Sequence, residues 1–581
     1  MDKETAPPRT VPESAYQEPS DLEKETLAAY EGHDADIPSN EGYILDERGE
    51  LQRRQSIASH RRGESQNDTS KDGTTADVEK GIEQVSSEES DPNIVGWDGP
   101  DDPLNPLNFS SWLKTLNTAL VSGICFVTPL ASSMFAPGVP ELMEEFKSTN
   151  VLLASFVVSV YVLGFAFGPL FLAPLSEIYG RLPIYHICNF GFLAFTIACA
   201  LATNLNMLIG FRFLEGIFGS APLTNGGGTI ADLFVQEKRG RAMSTFAMGP
   251  IVGPISKYPY LKGKYSILTS IVGPVAGGFL SQSKGWRWVF WVLAMVSGTF
   301  TILSLIFMRE TYGPTILQKK TNRLRRETGN QDLRSKFDIG LSPRDFFMRG
   351  IVRPAKMLIY SPIVLSTSVY VGVVYGYLYL LFTTFTVVFE YTYHFSSGSV
   401  GLTFLGLGVG SLSGLAFFAW SSDYIIKKKT AEADAIAAAA GQPSAGMKPE
   451  YRLPMLIPGA IFIPVGLLLY GWTAKYHVQW IVPIISTALI GVGNMAVFMC
   501  VSMYLVDTFT VYAASALAAN TVIRSVMGAV LPLAGRKMYN ALGLGWGNSL
   551  LAFVALAMLP LPWILLKWGE PLRKRFEIKN L

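Results

Sequence analysis

Ionisable side chains lie inside several long apolar runs of this sequence. Arg212 and Glu215 are three residues apart and therefore share a helix face with Gly216 and Gly219. A charged pair in a membrane-spanning helix is costly unless it faces the protein interior. Two interpretations follow: a site of proton coupling or gating, whose carboxylate takes up and releases a proton as access to a cavity changes, or a static ion pair.

A second arginine, Arg524, lies near the middle of a later apolar run, and Asn520 precedes it by one turn on the same face. A lone arginine at that depth predicts a substrate cavity or a gate. The sequence does not decide whether Arg524 contacts a substrate anion, a backbone carbonyl or a polar residue such as Asn494. Static packing is the alternative.

Acidic residues end two of the apolar runs at matching positions. Asp232 ends the run that contains Arg212, and Asp507 ends a run in the second half of the chain. Asn225 and Thr229 precede Asp232 on the helix face opposite Arg212. We expect Asn225 to line a substrate cavity and Asp232 to take part in proton coupling or gating. Hydrogen bonding at the helix end is the alternative for both acids.

One apolar run, at residues 362–388, is rich in aromatic residues. Tyr370 and Tyr377 share one helix face, whereas Tyr375 and Tyr379 share another. Such a surface binds flat apolar or cationic ligands by stacking and cation–π contact. We expect these tyrosines to line a substrate cavity, with helix packing or an interfacial belt as the alternative.

These residues belong to a chain dominated by apolar runs. Of its 581 residues 49% are hydrophobic and only 16% are charged, against about 25% charged in soluble proteins. A run of roughly 20 apolar residues spans a bilayer as a helix, and about twelve such runs occur, six on each side of a basic stretch. The predicted fold is an all-α membrane protein with twelve transmembrane helices in two six-helix bundles related as parallel repeats.

The predicted parts of the chain follow from these runs. They are a disordered cytosolic N-terminal tail (1–108), an N-terminal six-helix bundle (109–308), a cytosolic central loop (309–361), a C-terminal six-helix bundle (362–567) and a cytosolic C-terminal tail (568–581). Basic residues cluster in alternate loops, which the positive-inside rule assigns to the cytosol. We therefore expect both termini to be cytosolic.

An internal repeat supports two parallel halves. Each half has two glycines, spaced GxxxG, at 13 and 9 residues before an acid, and a base 4 residues after that acid. The two sets are Gly164, Gly168, Glu177 and Arg181, and Gly410, Gly414, Asp423 and Lys427. GxxxG spacing lets two helix backbones approach closely. We expect the acids and bases to form cytosolic gate loops that hold the bundles in one facing state, with plain solvation of the loops as the alternative.

Several motifs resemble those of a known family. The segment 168–181, GPLFLAPLSEIYGR, resembles the loop signature of the major facilitator superfamily, in particular that of its fungal drug:proton antiporters with twelve spans. The stretch Arg212–Gly216 with Gly219 resembles the motif of the fourth span. The residues that resemble the antiporter motif of the fifth span are Gly249, Pro250, Gly253, Pro254, Gly277 and Gly278.

The resemblance implies a proton-coupled secondary exporter of small, mostly apolar or cationic molecules, such as drugs or secondary metabolites, that works by alternating access. It implies a monomer in the cell membrane, or in a vacuolar or endosomal membrane, whose partners are its substrate, protons and lipid. The sequence contains no GxxxxGK[ST] and no HExxH, and we expect no enzyme activity, cofactor, metal or nucleic-acid partner. The alternatives are an uptake symporter or polyamine carrier and, from another class, a non-transporting membrane sensor.

The fifth predicted span contains an anomaly at residues 255–274. The tetrapeptide IVGP occurs at 251–254 and again at 271–274, and three lysines lie between the copies. Such a segment cannot lie in lipid. Removal of 255–274 would leave an uninterrupted span, so we interpret the segment as an insert or a retained intron. We expect span 5 to be broken there, with the flanking Gly-Pro motifs helical.

Overall fold

The structure is a computed structural model, and it describes residues 43–45, 51–53, 93–235, 268–338, 340, 342–439, 447–509 and 512–576. The chain divides into two units, Met1–Ser86 and Ser87–Leu581. In the first unit, strands β1 (Tyr43–Leu45) and β2 (Leu51–Arg53) pair antiparallel.

The second unit begins with the helices of the first half. They are α1 (Ser111–Met134), α2 (Val139–Glu145), α3 (Val151–Tyr179), α4 (Arg181–Ala200), α5 (Leu205–Gly219), α6 (Ala221–Leu233), α7 (Leu268–Lys284) and α8 (Arg287–Phe307). The predicted fourth span consists of α5 and α6, with Ser220 between them and Pro222 in the first turn of α6. Proline is accommodated in the first turn of a helix because the N–H it lacks would have no intrahelical partner there.

The second half has the same order of long apolar helices. They are α11 (Pro362–Tyr393), α12 (Ser397–Ala439), α13 (Leu456–Lys475), α14 (Ile481–Thr508), α15 (Ala513–Met558) and α16 (Pro560–Arg575). Gly543, at φ +74°, interrupts α15 and separates its two membrane-spanning parts. A 3₁₀ helix, Pro449–Met455, precedes α13.

Two amphipathic helices, α9 (Gly313–Thr328) and α10 (Pro343–Tyr360), connect the halves, so this connection is more ordered than the predicted central loop. Strand β3 (Ile94–Val95) pairs in parallel with β4 (Arg334–Ser335), which lies between α9 and α10. This pairing attaches part of the predicted tail to the connection between the halves. Lys320 also binds Asp98 and Asp102. Although burial alone would raise the pKa of Asp102, hydrogen bonds from backbone N–H groups and the Lys320 ammonium hold that pKa below its usual value. The structure thus differs from the prediction of a disordered tail at residues 93–108.

Nine segments of the described residues are long and apolar enough to cross a membrane. Three of the twelve predicted spans are therefore not counted separately. Helices α5 and α6 are each too short when taken alone, the described part of the fifth span, α7, has only 17 residues, and α15 with α16 forms one kinked segment. The start of the predicted fifth span, with the insert up to residue 267, lies outside the described residues. The chain is an all-α membrane protein, as the sequence predicts.

The paired glycines bring equivalent helices into backbone contact in both halves. A Cβ atom on Gly164 of α3 would lie 2.6 Å from the carbonyl carbon of Gly216 in α5. In the second half, a Cβ on Gly414 of α12 would lie 2.6 Å from the carbonyl oxygen of Val492 in α14. The predicted close approach is confirmed, and it joins the second and fourth spans of each half.

Candidate functional site

The Arg212–Glu215 pair is fully buried inside the first half. Arg212 Nη1 lies 3.1 Å from Glu215 Oε2 and donates a hydrogen bond to the Ala131 carbonyl at 3.0 Å. Its guanidinium carbon lies 4.6 Å from the centre of the Tyr161 ring. Glu215 also accepts a hydrogen bond from Thr196 at 2.9 Å. The pair therefore links α1, α3, α4 and α5.

The pair is not saturated by these contacts. Arg212 Nη2 is buried and has no hydrogen-bond partner among the described residues. The Ala131 carbonyl that receives Nη1 lies in the last turn of α1, where carbonyls lack intrahelical donors. An arginine that shares its donors between a carboxylate and a helix end can be released from either one, which is the property that a proton-coupled or gating pair requires.

Arg181 is the centre of a second cluster, at the opposite end of the first half's fourth span. Its Nε lies 3.3 Å from Asp232 Oδ2, its Nη1 lies 2.7 Å from Ser176 Oγ, and Glu177 Oε1 is 4.0 Å away. Ser176 in turn donates to Asn225 Oδ1 at 3.0 Å. The structure thus brings Asp232 and Asn225 to the predicted gate residues Glu177 and Arg181, and away from Arg212.

Glu310 is a member of this cluster that was not predicted. Its carboxylate accepts hydrogen bonds from the backbone N–H groups of Arg181 and Leu182 at 3.0 and 3.1 Å, which caps the N-terminus of α4. A Cβ atom at Gly180, whose φ is +101°, would collide with this carboxylate. The signal was present in the sequence, because Glu310 directly follows the sixth span.

The second half has a different set of ion pairs at its equivalent end. Asp507, at the end of α14, pairs with Arg452 in the 3₁₀ helix. Lys448 lies 2.7 Å from Glu570 of α16. The predicted gate residues Asp423 and Lys427 lie inside the continuous helix α12 rather than in a loop, and Lys427 is exposed.

The tyrosines of α11 separate into two groups. Tyr375 and Tyr379 pack with their rings tilted by 54° and their centres 5.0 Å apart, and the Tyr379 hydroxyl lies 2.7 Å from Ser132 Oγ of α1. This face therefore meets the first half of the protein. Tyr377 instead donates to the Leu551 carbonyl of α15 at 3.0 Å, and the buried Tyr370 belongs to the hydrophobic core of the second half.

Arg524 of α15 lies against the first of these faces. Its guanidinium carbon is 4.8 Å from the centre of the Tyr375 ring and 4.9 Å from that of Phe498. Within the described part of the chain, Arg524 forms no ion pair, and its buried Nε has no hydrogen-bond partner. Asn520 Oδ1 is also buried without a partner, whereas Asn494 is buried and makes no hydrogen bond with Arg524. An unpaired arginine in the middle of a membrane costs roughly 3 kcal/mol.

Two of the predicted antiporter-motif residues are described, and each contacts a different neighbour of α7. A Cβ on Gly277 would collide with the Met134 carbonyl of α1. A Cβ on Gly278 would lie 2.5 Å from the Ser397 carbonyl oxygen of α12. The other four, Gly249, Pro250, Gly253 and Pro254, lie outside the described residues.

A cavity of about 880 Å³ lies between the two halves. The first half contributes residues that include Ser155 and Ser281, and the second half contributes Thr386, Glu390 and Arg536. One turn beyond Ser155, Ser159 Oγ donates to the Ala529 carbonyl at 2.9 Å, which joins α3 to α15. The cavity therefore lies at one end of the spans, and below Ser155 this hydrogen bond holds α3 against α15.

Comparisons with known proteins agree with this architecture. The sequence profile of the Major Facilitator Superfamily matches residues 121–532. The chain is 59% identical over 491 residues to the MFS-type transporter tndD of Aspergillus flavipes, with 84% of this chain and 87% of that protein covered. It is 50% identical over 510 residues to the efflux pump radE of Floropilus chiversii, with 87% of this chain and 90% of that protein covered.

The fold resembles that of solved transporters. A D-xylose–proton symporter superposes with a TM-score of 0.54 at 14% identity, over 78% of this chain and 99% of that one. The xylose transporter XylE from E. coli gives 0.53 at 15% identity, over 79% of this chain and 98% of that one. At this identity the likeness concerns the fold alone. This chain belongs to the major facilitator superfamily, and it is a multi-pass membrane transporter of small molecules rather than an enzyme.

Proposed function

We propose that this transporter is a proton-coupled secondary exporter of small, mostly apolar molecules, such as drugs or secondary metabolites. The observation that carries the proposal is the cavity between the two halves, which lies at one end of the spans. A site that is accessible from one side at a time is the requirement of alternating access. The name of the relative radE, an efflux pump, supports export as the direction.

The orientation of the cavity follows from the distribution of charge. The linker helix α9 carries five basic residues, and the last turn of α16 carries three. By the positive-inside rule these segments are cytosolic. The cavity lies at the other ends of the spans, beside the short connection between α1 and α3. The described state therefore faces outward, in the cell membrane or in a vacuolar or endosomal membrane.

The Arg181 cluster serves as the inner gate in this proposal. It joins the end of α3 to the ends of α4 and α6 through Arg181, Asp232 and Glu310. Phe171 of α3 packs on Phe347 of the linker helix α10, with ring centres 6.2 Å apart. Opening inward must break such contacts, so each one biases the transporter toward the outward-facing state.

Arg212 and Glu215 form the proton-coupling pair in this proposal. Glu215 is ionised while Arg212 contacts it, and uptake of a proton frees the arginine to bind backbone carbonyls alone. Such an exchange changes the connection between α5 and α1, and the charged arginine then rests on backbone carbonyls and on the Tyr161 ring. A monomer is sufficient for this cycle, since both halves of the cavity come from one chain.

The test uses the purified full-length protein in liposomes with a pH gradient and no nucleotide. The probe is anthracene-9-carboxylic acid methyl ester, a neutral aromatic compound whose fluorescence reports its efflux. We expect efflux to follow the imposed proton gradient and to stop when an uncoupler collapses it. Efflux that continues after uncoupling and requires added ATP would contradict the proposal. Accumulation in the direction of the proton gradient would favour an uptake symporter.

A further inference from the structure

We propose that the transported molecules carry an acidic group, a carboxylate or a phenolate, that binds Arg524. The inference rests on the proposed function and narrows its substrate class. It also replaces the expectation of cationic substrates, because a cation that stacked on Tyr375 would lie next to the arginine.

The first argument is the missing counter-ion. Arg181 and Arg212 each contact a carboxylate, whereas Arg524 has none among the described residues. An arginine cannot lose its charge in a protein. A half-buried guanidinium inside a membrane span that lacks a carboxylate therefore needs another source of negative charge. A substrate anion is the source that would be present only during transport.

The second argument is the geometry of the guanidinium. Tyr375 and Phe498 lie within 5 Å of its carbon, so aromatic rings pack against the group. Its N–H donors radiate in the plane of the group, and its Nε has no partner. A fork of parallel N–H donors matches the two oxygens of a carboxylate. Asn520 Oδ1, one turn earlier and also unpartnered, can accept a hydrogen bond from a hydroxyl or amide of the same ligand.

The third argument is a route to the open cavity. Tyr375, Tyr379, Thr383, Thr386 and Glu390 recur every three or four residues and so share one face of α11. The last three line the cavity, and Tyr375 lies roughly 12 Å deeper, two turns below Thr383. The hydrogen bond between Tyr379 and Ser132 lies between the cavity and Arg524. A flat acid bound at the arginine would therefore follow this face of α11 to the exit once that hydrogen bond opens.

The experiment compares three anthracene probes of the same ring and different charge. They are anthracene-9-carboxylate, its neutral methyl ester and 9-(aminomethyl)anthracene. Binding to the purified full-length protein is measured by probe fluorescence. Because hydrogen bonds to charged groups are worth more than neutral ones, we expect the carboxylate to bind about tenfold or more tightly than the other two. We expect Arg524→Gln to abolish this preference and Arg524→Lys to retain part of it.

Lys319→Gln is the matched control, since it removes one positive charge from an exposed site on α9. It should bind all three probes as the parent protein does. Equal binding of the three probes, no binding of the carboxylate, or an unchanged preference in Arg524→Gln would overturn the proposal. If Arg524→Gln fails to fold, the proposal is still tested by the order in which the parent protein binds the three probes and by the preference that Arg524→Lys retains. Proton-driven efflux of the ester without any preference for the acid would leave the export proposal standing and remove only this one.

Discussion

The two halves are built differently at the ends that carry the Arg181 and Arg452 ion pairs, although their sequences repeat there. In the first half α3 ends at Tyr179, and Gly180 turns the chain sharply into α4. In the second half, α12 is 43 residues long and continues without interruption through the equivalent positions. The first sequence has Gly180 and then Pro183 in the first turn of α4, whereas residues 423–429 contain neither glycine nor proline. A repeat in sequence spacing thus does not ensure a repeat in structure.

What recurs instead is an ion pair between elements. The acid at the end of the fourth span of each half contacts an arginine that precedes or begins the third. These pairs are Asp232 with Arg181 and Asp507 with Arg452. Helix ends that lie side by side in both halves bring these charges together, so the equivalent of Arg181 is Arg452 rather than Lys427.

The halves also differ in how the arginines inside their spans are paired, since Arg212 contacts Glu215 and Arg524 contacts no carboxylate among the described residues. The largest expected effect concerns this difference. We expect Arg212→Ala to abolish transport while the protein remains in the membrane, because it leaves Glu215 buried without its partner. Removing one member of a buried pair costs about 3–5 kcal/mol. Efflux assays and membrane fractionation measure the two outcomes. Arg212→Ala with normal efflux would return the pair to a static role.

The gate comparison predicts the next largest effect. We expect Arg181→Ala and Arg452→Ala each to lower efflux, by roughly tenfold for a coupling of 1–3 kcal/mol between gate and transport. Lys427→Ala is the control that distinguishes the two alignments of the halves, and we expect it to transport normally. If Lys427→Ala were as defective as Arg181→Ala, the sequence repeat would be the correct guide to the gate.

The fifth span gives a third comparison, because its counterpart in the second half, the first part of α15, is uninterrupted from Ala513 to Leu542. We expect a chain lacking residues 255–274 to insert and transport a few-fold better than the full chain, since neither apolar piece beside the lysines is long enough to cross roughly 30 Å of hydrocarbon. Surface labelling and efflux provide the measurement. Sequencing the mature transcript decides independently whether the segment is retained. Transport by the full-length chain, with the segment present in the message, would make it a genuine part of the protein.

The turn between α3 and α4 predicts the smallest effect, on stability. We expect Gly180→Ala to lower the melting temperature. The backbone of Gly180, at φ +101° and ψ 161°, costs a residue with a side chain about 1–3 kcal/mol, and the Cβ would also collide with Glu310. Gly329→Ala is the matched control, since Gly329 has φ +73° but open space around it. Equal shifts in the two variants would mean that the contact with Glu310 adds nothing.

Local patterns of the sequence predicted what local geometry determines. Arg212 and Glu215 meet because residues three apart share a helix face, and Gly164 and Gly414 approach other helices because they lack side chains. The continuation of α12 through Lys427 could also have been predicted, from the absence of helix-breaking residues after Asp423.

Contacts between distant segments could not be predicted in the same way. Asp232 and Arg181 are 51 residues apart, and the bond between Tyr379 and Ser132 joins residues 247 apart. Which tyrosine face of α11 meets the first half depends on how the helix is rotated in the packed bundle. No spacing within α11 contains that information, so Tyr377 and Tyr379 were equivalent until the fold was known.

The contact between Gly278 and Ser397 has a mechanical consequence. Gly401 makes a similar contact, since its Cβ would lie 2.6 Å from the Pro274 carbonyl oxygen, and the Gly398 N–H binds Gln282 Oε1 at 3.0 Å. With no side chains between them, the two backbones can serve as the pivot of the proposed transport cycle, close to one end of α7. If one half rotates by about 10° around this contact, the far ends of its spans, roughly 30 Å away, move by about 5 Å. A methyl group at Gly278 would push α7 away from α12 at this contact and would therefore shift the two halves relative to each other.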